Sequence, residues 1–145
     1  MSATLLHAGC VSIEGRGVLV LGASGSGKSD LMLRLIDRGA TLVADDYCEL
    51  RAVDGRLFAR APANIAGRME VRGIGLIALP ALDEAAVALA IRVDAPVPRL
   101  PEAESEEVAG IAVPLVRLAP FEASAPIKAE LALRGVPAGV DWRHG

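Results

Sequence analysis

The stretch Gly17-Val18-Leu19-Val20-Leu21-Gly22-Ala23-Ser24-Gly25-Ser26-Gly27-Lys28-Ser29 runs from an apolar segment directly into a glycine-rich octet. Its second part matches G-x-x-x-x-G-K-[ST], and its first part supplies the strand that this pattern requires. A loop of this composition lets successive backbone N–H groups converge on phosphate oxygens. Lys28 then adds a mobile positive charge and Ser29 a hydroxyl suited to a Mg²⁺ ion. Gly22, Ala23, Ser24, Gly25, Ser26, Gly27, Lys28 and Ser29 are therefore expected to bind a nucleoside triphosphate.

The residues that follow supply the other half of the context. Leu31, Met32, Leu35 and Ile36 recur at i+3 and i+4, with Arg34, Asp37 and Arg38 on the opposite face, so a helix is predicted. Gly39 reads as its C′ stop. Upstream, Val11-Ser12-Ile13 and Val18 to Leu21 flank the turn-prone Glu14-Gly15-Arg16-Gly17, a hairpin feeding the loop. Downstream, Ala40 to Ala44 forms a short apolar strand, and Asp54-Gly55 sits between Cys48–Val53 and Arg56–Arg60 as a second hairpin.

The later chain is less regular. Leu76 to Leu79 and Ile111 to Arg117 read as strands, and Ala86 to Val93 as a strand whose alanines also permit helix. Between them, Ala95 to Glu107 carries three prolines and four glutamates and is expected to be a solvated connector. Ser124 and Pro126 start a last helix ending near Gly135. Residues 1–135 are expected to form the domain, with 136–145, including Trp142 and His144, a loose tail.

Composition bounds the function. The 145 residues suit one domain, and 52% hydrophobic content supports an α/β core. A net charge of −3 and only 3% aromatic residues disfavour a nucleic-acid partner. Cys10 and Cys48 form no metal-ligand pattern and are expected to be buried free thiols. No stretch reaches the length of a membrane span and the N-terminus has no signal pattern, so no membrane partner and a cytoplasmic address are expected.

Asp45 and Asp46 directly follow the strand 40–44, and ligands in open α/β sheets bind beyond the carboxyl ends of strands. Two adjacent acids there can divide labour, one organising Mg²⁺ and the other accepting a proton from an attacking hydroxyl. Residue type alone does not say which acid does which. The pair favours phosphoryl transfer over simple nucleotide binding. Glu70 precedes a glycine-rich bend, Met69-Glu70-Val71-Arg72-Gly73-Ile74-Gly75, and two readings stay open for it: a carboxylate beside backbone that can approach a ligand, or an exposed acid before a turn.

Taken together, His7-Ala8-Gly9-Cys10-Val11, the octet 22–29, Leu42-Val43-Ala44-Asp45-Asp46 and Glu70 to Ile77 resemble the catalytic domain of the bacterial HPr(Ser) kinase/phosphorylase family. The resemblance covers roughly the first eighty residues. It implies a single-domain α/β phosphate-loop kinase fold of the HPr kinase/PEP carboxykinase-like type, with a mixed sheet and flanking helices. It also implies ATP- and Mg²⁺-dependent phosphorylation of a serine on HPr, a phosphocarrier of phosphotransferase systems. Carried over, Lys28 holds the β- and γ-phosphates, Ser29 and Glu70 coordinate Mg²⁺, and the Asp45-Asp46 pair supplies the base with His7 beside it. Arg99 is the implied catalytic arginine.

The resemblance further implies a reverse reaction releasing pyrophosphate, pyrophosphate as an alternative donor, and a hexameric homo-oligomer. Where members carry a Pro-Val-Arg-Pro-Gly-Arg-Asn-like loop, this chain has Ala112 to Phe121, which sets its docking end and reverse activity apart. Two other functions share the phosphate loop: an ATP-sensing regulatory module and a small-molecule kinase. Asp46 and Glu70 separate the leading reading from the first, and an open acceptor surface separates it from the second.

Overall fold

A computed structural model describes residues 3–135. The elements are β1 (Thr4–Leu6), β2 (Ala8–Ile13), β3 (Arg16–Leu21), α1 (Lys28–Asp37), β4 (Thr41–Ala44), β5 (Cys48–Val53) and β6 (Arg56–Arg60). A 3-10 turn (Ala63–Ile65) leads to β7 (Arg68–Val71), β8 (Gly75–Ala78), β9 (Ala85–Arg92), β10 (Glu104–Val108), β11 (Ile111–Arg117) and α2 (Ala125–Arg134).

Nine of the described strands form one mixed sheet, and the direction of each strand decides where the chemistry gathers. β3 pairs antiparallel with β2 and parallel with β9. β2 pairs antiparallel with β4, and β9 pairs parallel with β11. The strands β4, β3, β9 and β11 therefore all run the same way and release their C-terminal ends at one edge. β2 runs oppositely, so its start, next to His7, comes to that edge too.

Side chains alternate across the sheet, which sorts the core into two layers. Val18 and Val20 of β3 face Leu31, Met32 and Leu35 of α1 and Ala129 and Leu133 of α2. Leu19 and Leu21 face the opposite way, among Cys10, Leu50, Leu57 and Leu115. Each fully buried Val or Leu contributes about 1.5–3 kcal/mol relative to exposure. Both helices thus cover one face, and the sheet covers its other face by curling. The fork is at β9, whose Ala85 and Ala86 pair with β6 while Ala90 to Arg92 pair with β11.

The helix stop at Gly39 has the expected chemistry. Gly39 has φ 112°, its N–H bonds the carbonyl of Ile36, and Ala40 N–H bonds that of Leu35, each at 3.0 Å. These are the two bonds of a Schellman motif, and the left-handed position favours glycine. The 54–55 turn also forms, joining β5 and β6 in register Val53 to Arg56.

Elsewhere the structure corrects the sequence expectations. The connector 95–107 ends in a strand: β10 pairs antiparallel with β11 from Glu104 to Val108. Its glutamates tolerate this because alternate ones meet arginines, Glu104 with Arg117 at 2.9 Å and Glu106 with Arg92 at 3.2 Å. The strand near Leu76 to Leu79 stands outside the main sheet, paired with β7 in a separate ribbon. The tail 136–145, with Trp142 and His144, lies outside the described residues. Cys10 and Cys48 are free buried thiols, and burial pushes Cys48 up to about 12. No described helix is long and apolar enough to cross a membrane.

Candidate active site

The loop 22–29 spans the end of β3 and the start of α1, at the edge where the parallel strands finish. The first N–H groups of a helix have no carbonyl of their own turn to bond, and the Lys28 and Ser29 residues that carry them line an open cleft of about 400 Å³. Gly27, the N-cap of α1, has φ 102°. A Cβ there would stand 2.9 Å from both Phe121 Cζ and Pro120 Cγ, so glycine is required twice, for conformation and for space. The Lys28 ammonium donates to the carbonyls of Gly22 at 2.5 Å and Ala23 at 3.0 Å. Two of its three donors are thereby used, leaving one for a phosphate oxygen.

The start of the loop is tied down from the neighbouring strand. Ala23 N–H donates to Asp94 Oδ2 at 2.9 Å, just past the end of β9. Arg92 holds the other carboxylate oxygen at 3.3 Å and reaches Glu106 at 3.2 Å. The Ala23 hydrogen bond, followed by Arg92, keeps the Asp94 carboxyl below its ordinary value of 3.8. A depressed acid stabilises the fold above the unfolded pKa, and that contribution vanishes as pH falls through the folded one. Urea midpoints of wild type and Asp94→Asn should accordingly converge as pH drops below 3.8. A gap that widens in acid would show that the tether does not stabilise the loop.

Asp45 and Asp46 follow β4 at the same edge, and their surroundings differ sharply. Asp45 is 7% exposed. Its Oδ1 accepts from Ser29 Oγ at 3.2 Å and its Oδ2 from the Glu70 N–H at 3.0 Å. Burial raises its pKa, and the Glu70 amide and the Ser29 hydroxyl oppose that shift. Asp46 is exposed, and His7 Nε2–H donates to its Oδ1 at 2.8 Å. The His7 ring rests 5.0 Å from the Tyr47 ring, which fixes its tilt. Asp46 has φ 68°, and Tyr47 N–H bonds the Asp45 carbonyl at 2.7 Å. This is a γ-turn of the rare positive-φ form, and it sends the two neighbouring acids to different partners.

Glu70 reaches the cleft on β7, whose preceding residue Met69 is buried in the helix-side core and anchors the ribbon. His7, Lys28, Ser29, Asp45, Asp46 and Glu70 thus line one cleft. Arg99 does not: it lies exposed in the proline-flanked segment between β9 and β10, outside the lining. The arginine that lines the cleft is Arg72, delivered by the bend after β7. Sequence reasoning missed Asp94, although it stands just past a parallel strand as Asp45 does. It also passed over Arg72, two residues beyond Glu70.

The cleft sets the carboxylates of Asp30, Asp45, Asp46 and Glu70 against the cations Lys28 and Arg72. A polyphosphate entering there needs a further cation. Among the described residues no three His, Cys, Asp or Glu side chains converge as an all-protein metal cage. An all-oxygen set of one hydroxyl and a few carboxylates fits Mg²⁺, which keeps water and substrate phosphates as most of its ligands.

Comparison with known proteins fits this geometry. Residues 1–89 match the family described as HPr Serine kinase C-terminal domain. The HPr kinase/phosphorylase of Clostridium tetani is 44% identical over 79 residues, 54% of this chain and 26% of that protein. That of Clostridium beijerinckii is 46% identical over 74 residues, 51% of this chain and 24% of that protein. The matched segment thus spans about a quarter of the length of these curated relatives. A solved structure described as the Hpr(Ser) kinase/phosphatase from Coxiella burnetii aligns with TM-score 0.79 and 30% identity, covering 91% of this chain and 95% of that one. The chain belongs to the HPr serine kinase C-terminal domain family.

Proposed function

We propose that this domain transfers the γ-phosphoryl group of ATP to a serine hydroxyl of an HPr-type phosphocarrier. The observation that carries the reading is the division of two adjacent acids inside one cleft. Asp45 is bonded to the phosphate-loop serine, and Asp46 is exposed and bonded to His7. A nucleotide-sensing module has no use for the second acid.

In this reading the loop amides and Lys28 hold the β- and γ-phosphates, and Ser29, Glu70 and the Asp45 carboxylate hold Mg²⁺ directly or through water. The chemistry that Mg²⁺ would supply there is neutralisation of charge on the transferred phosphoryl group. Asp46 accepts the proton of the serine hydroxyl as its oxygen bonds to the γ-phosphorus. The bond from that phosphorus to the bridging oxygen breaks, and ADP leaves. His7 holds the Asp46 carboxylate in place. Run in reverse chemistry, with inorganic phosphate attacking phosphoserine to form pyrophosphate, the same carboxyl returns the proton to the serine oxygen.

Incubation of the purified chain with Mg²⁺, γ-labelled ATP and an HPr-type carrier is expected to put label on serine. A parallel incubation replaces ATP by labelled pyrophosphate as donor. ATP binding without any transfer from either donor would move the chain to the sensing class.

A further inference from the structure

The strand order at the sheet edge is a ruler for orienting a bound nucleotide. Reading across the edge, the ends of β4, β3, β9 and β11 follow one another, with the start of β2 between the first two. The acids leave β4, His7 precedes β2, the phosphate loop leaves β3, and Asp94 follows β9. The segment Leu118 to Ser124 leaves β11. The acids and that last segment therefore lie on opposite flanks of the phosphate loop.

The cleft is polarised in the same sense. On the acid flank its lining includes His7, Asp45, Asp46 and Glu70, and Phe121, which follows β11, joins the lining from the segment on the other flank. Phe121 is 70% exposed, which is unusual for an aromatic side chain in a chain with so few. Its ring nevertheless has a fixed seat, with Cζ against the backbone of Gly27. The backbone on either side of it is also clamped. Arg34 of α1 donates to the carbonyls of Pro120 and, at 2.9 Å, of Glu122. An exposed ring held this firmly beside a phosphate loop is preorganised and not merely loose surface.

We propose that Phe121 is the stacking platform for the nucleobase of the bound nucleotide, on the flank of the loop away from the acids. The inference rests on the phosphate-loop reading given above. With the γ-phosphate directed at Asp46, the sugar and base extend the other way along the edge, over Gly27 and onto the ring. Aromatic rings stack on any base through its π-face, so the platform supplies affinity more than base choice. The family match ends at residue 89, so the segment carrying Phe121 lies beyond it.

Calorimetric titration of wild type, Phe121→Ala and Phe121→Trp with Mg·ATP and with Mg·tripolyphosphate separates the possibilities. Loss of one stacking contact is expected to weaken ATP by about tenfold or more in Phe121→Ala. Tripolyphosphate affinity should stay level, and Phe121→Trp should restore ATP. Equal ATP affinity in wild type and Phe121→Ala would overturn the assignment, as would a parallel loss of both ligands, which would mean that the ring supports the loop and not the base. Failure of wild type to bind either ligand would overturn the phosphate-loop reading itself.

Discussion

Asp46→Asn is expected to lower the rate of transfer to serine by about 10²- to 10⁴-fold, the usual contribution of a positioned general base. Nucleotide affinity should remain within a few fold, because in the proposed arrangement this group acts on the acceptor proton and touches no phosphate. The substitution isolates that role well. Asparagine tolerates the left-handed conformation that position 46 adopts at φ 68°, so the turn and the placement of Asp45 survive. The asparagine oxygen still accepts the His7 hydrogen bond. What disappears is the proton-accepting charge. Rapid-quench turnover combined with calorimetric ATP binding distinguishes the outcomes, and a collapse of nucleotide affinity would reassign Asp46 to the cation.

Lys28→Ala should lose both steps. Its ammonium is the cation closest to the loop carbonyls, and a charge-assisted bond to phosphate contributes about 1.5–3 kcal/mol, or roughly 10- to 150-fold in affinity. Transfer should fall by a further factor on the order of 10²–10³, since charge builds on the same oxygens as the phosphoryl group moves. Lys28 is only 8% exposed, so truncation also removes a packed stem. Lys28→Met keeps most of that stem and serves as the control. If it retains near-normal transfer, the ammonium is structural, holding Gly22 and Ala23 in place, and the reading of the cleft changes.

Much of the edge was legible because its signals are local. The glycine octet, the apolar strand ahead of it and the helical spacing of Leu31, Met32 and Leu35 lie within a few turns of one another. The Asp54-Gly55 hairpin is equally self-contained. What could not be read depends on contacts distant in sequence. Glu104 to Val108 looks like a solvated acidic run until Arg92 and Arg117 are seen to neutralise alternate residues across the sheet. β1 has only three residues and owes its pairing to β5, more than forty positions later. The two acids after β4 were legible as a pair, whereas their division between Ser29 and His7 follows from the γ-turn. Arg99 illustrates the converse: the family resemblance implied it as the catalytic arginine, but its segment stays outside the cleft, whose lining arginine is Arg72.

The left-handed backbone at position 46 sets folding and turnover against each other. Relaxing such a conformation with glycine is normally worth a fraction of a kcal/mol or more to the native state. At this position the gain would remove the very group proposed to take the proton. Selection for a sturdier protein and selection for a faster one thus pull on one codon in opposite directions, and an engineer seeking heat tolerance should leave that strain untouched.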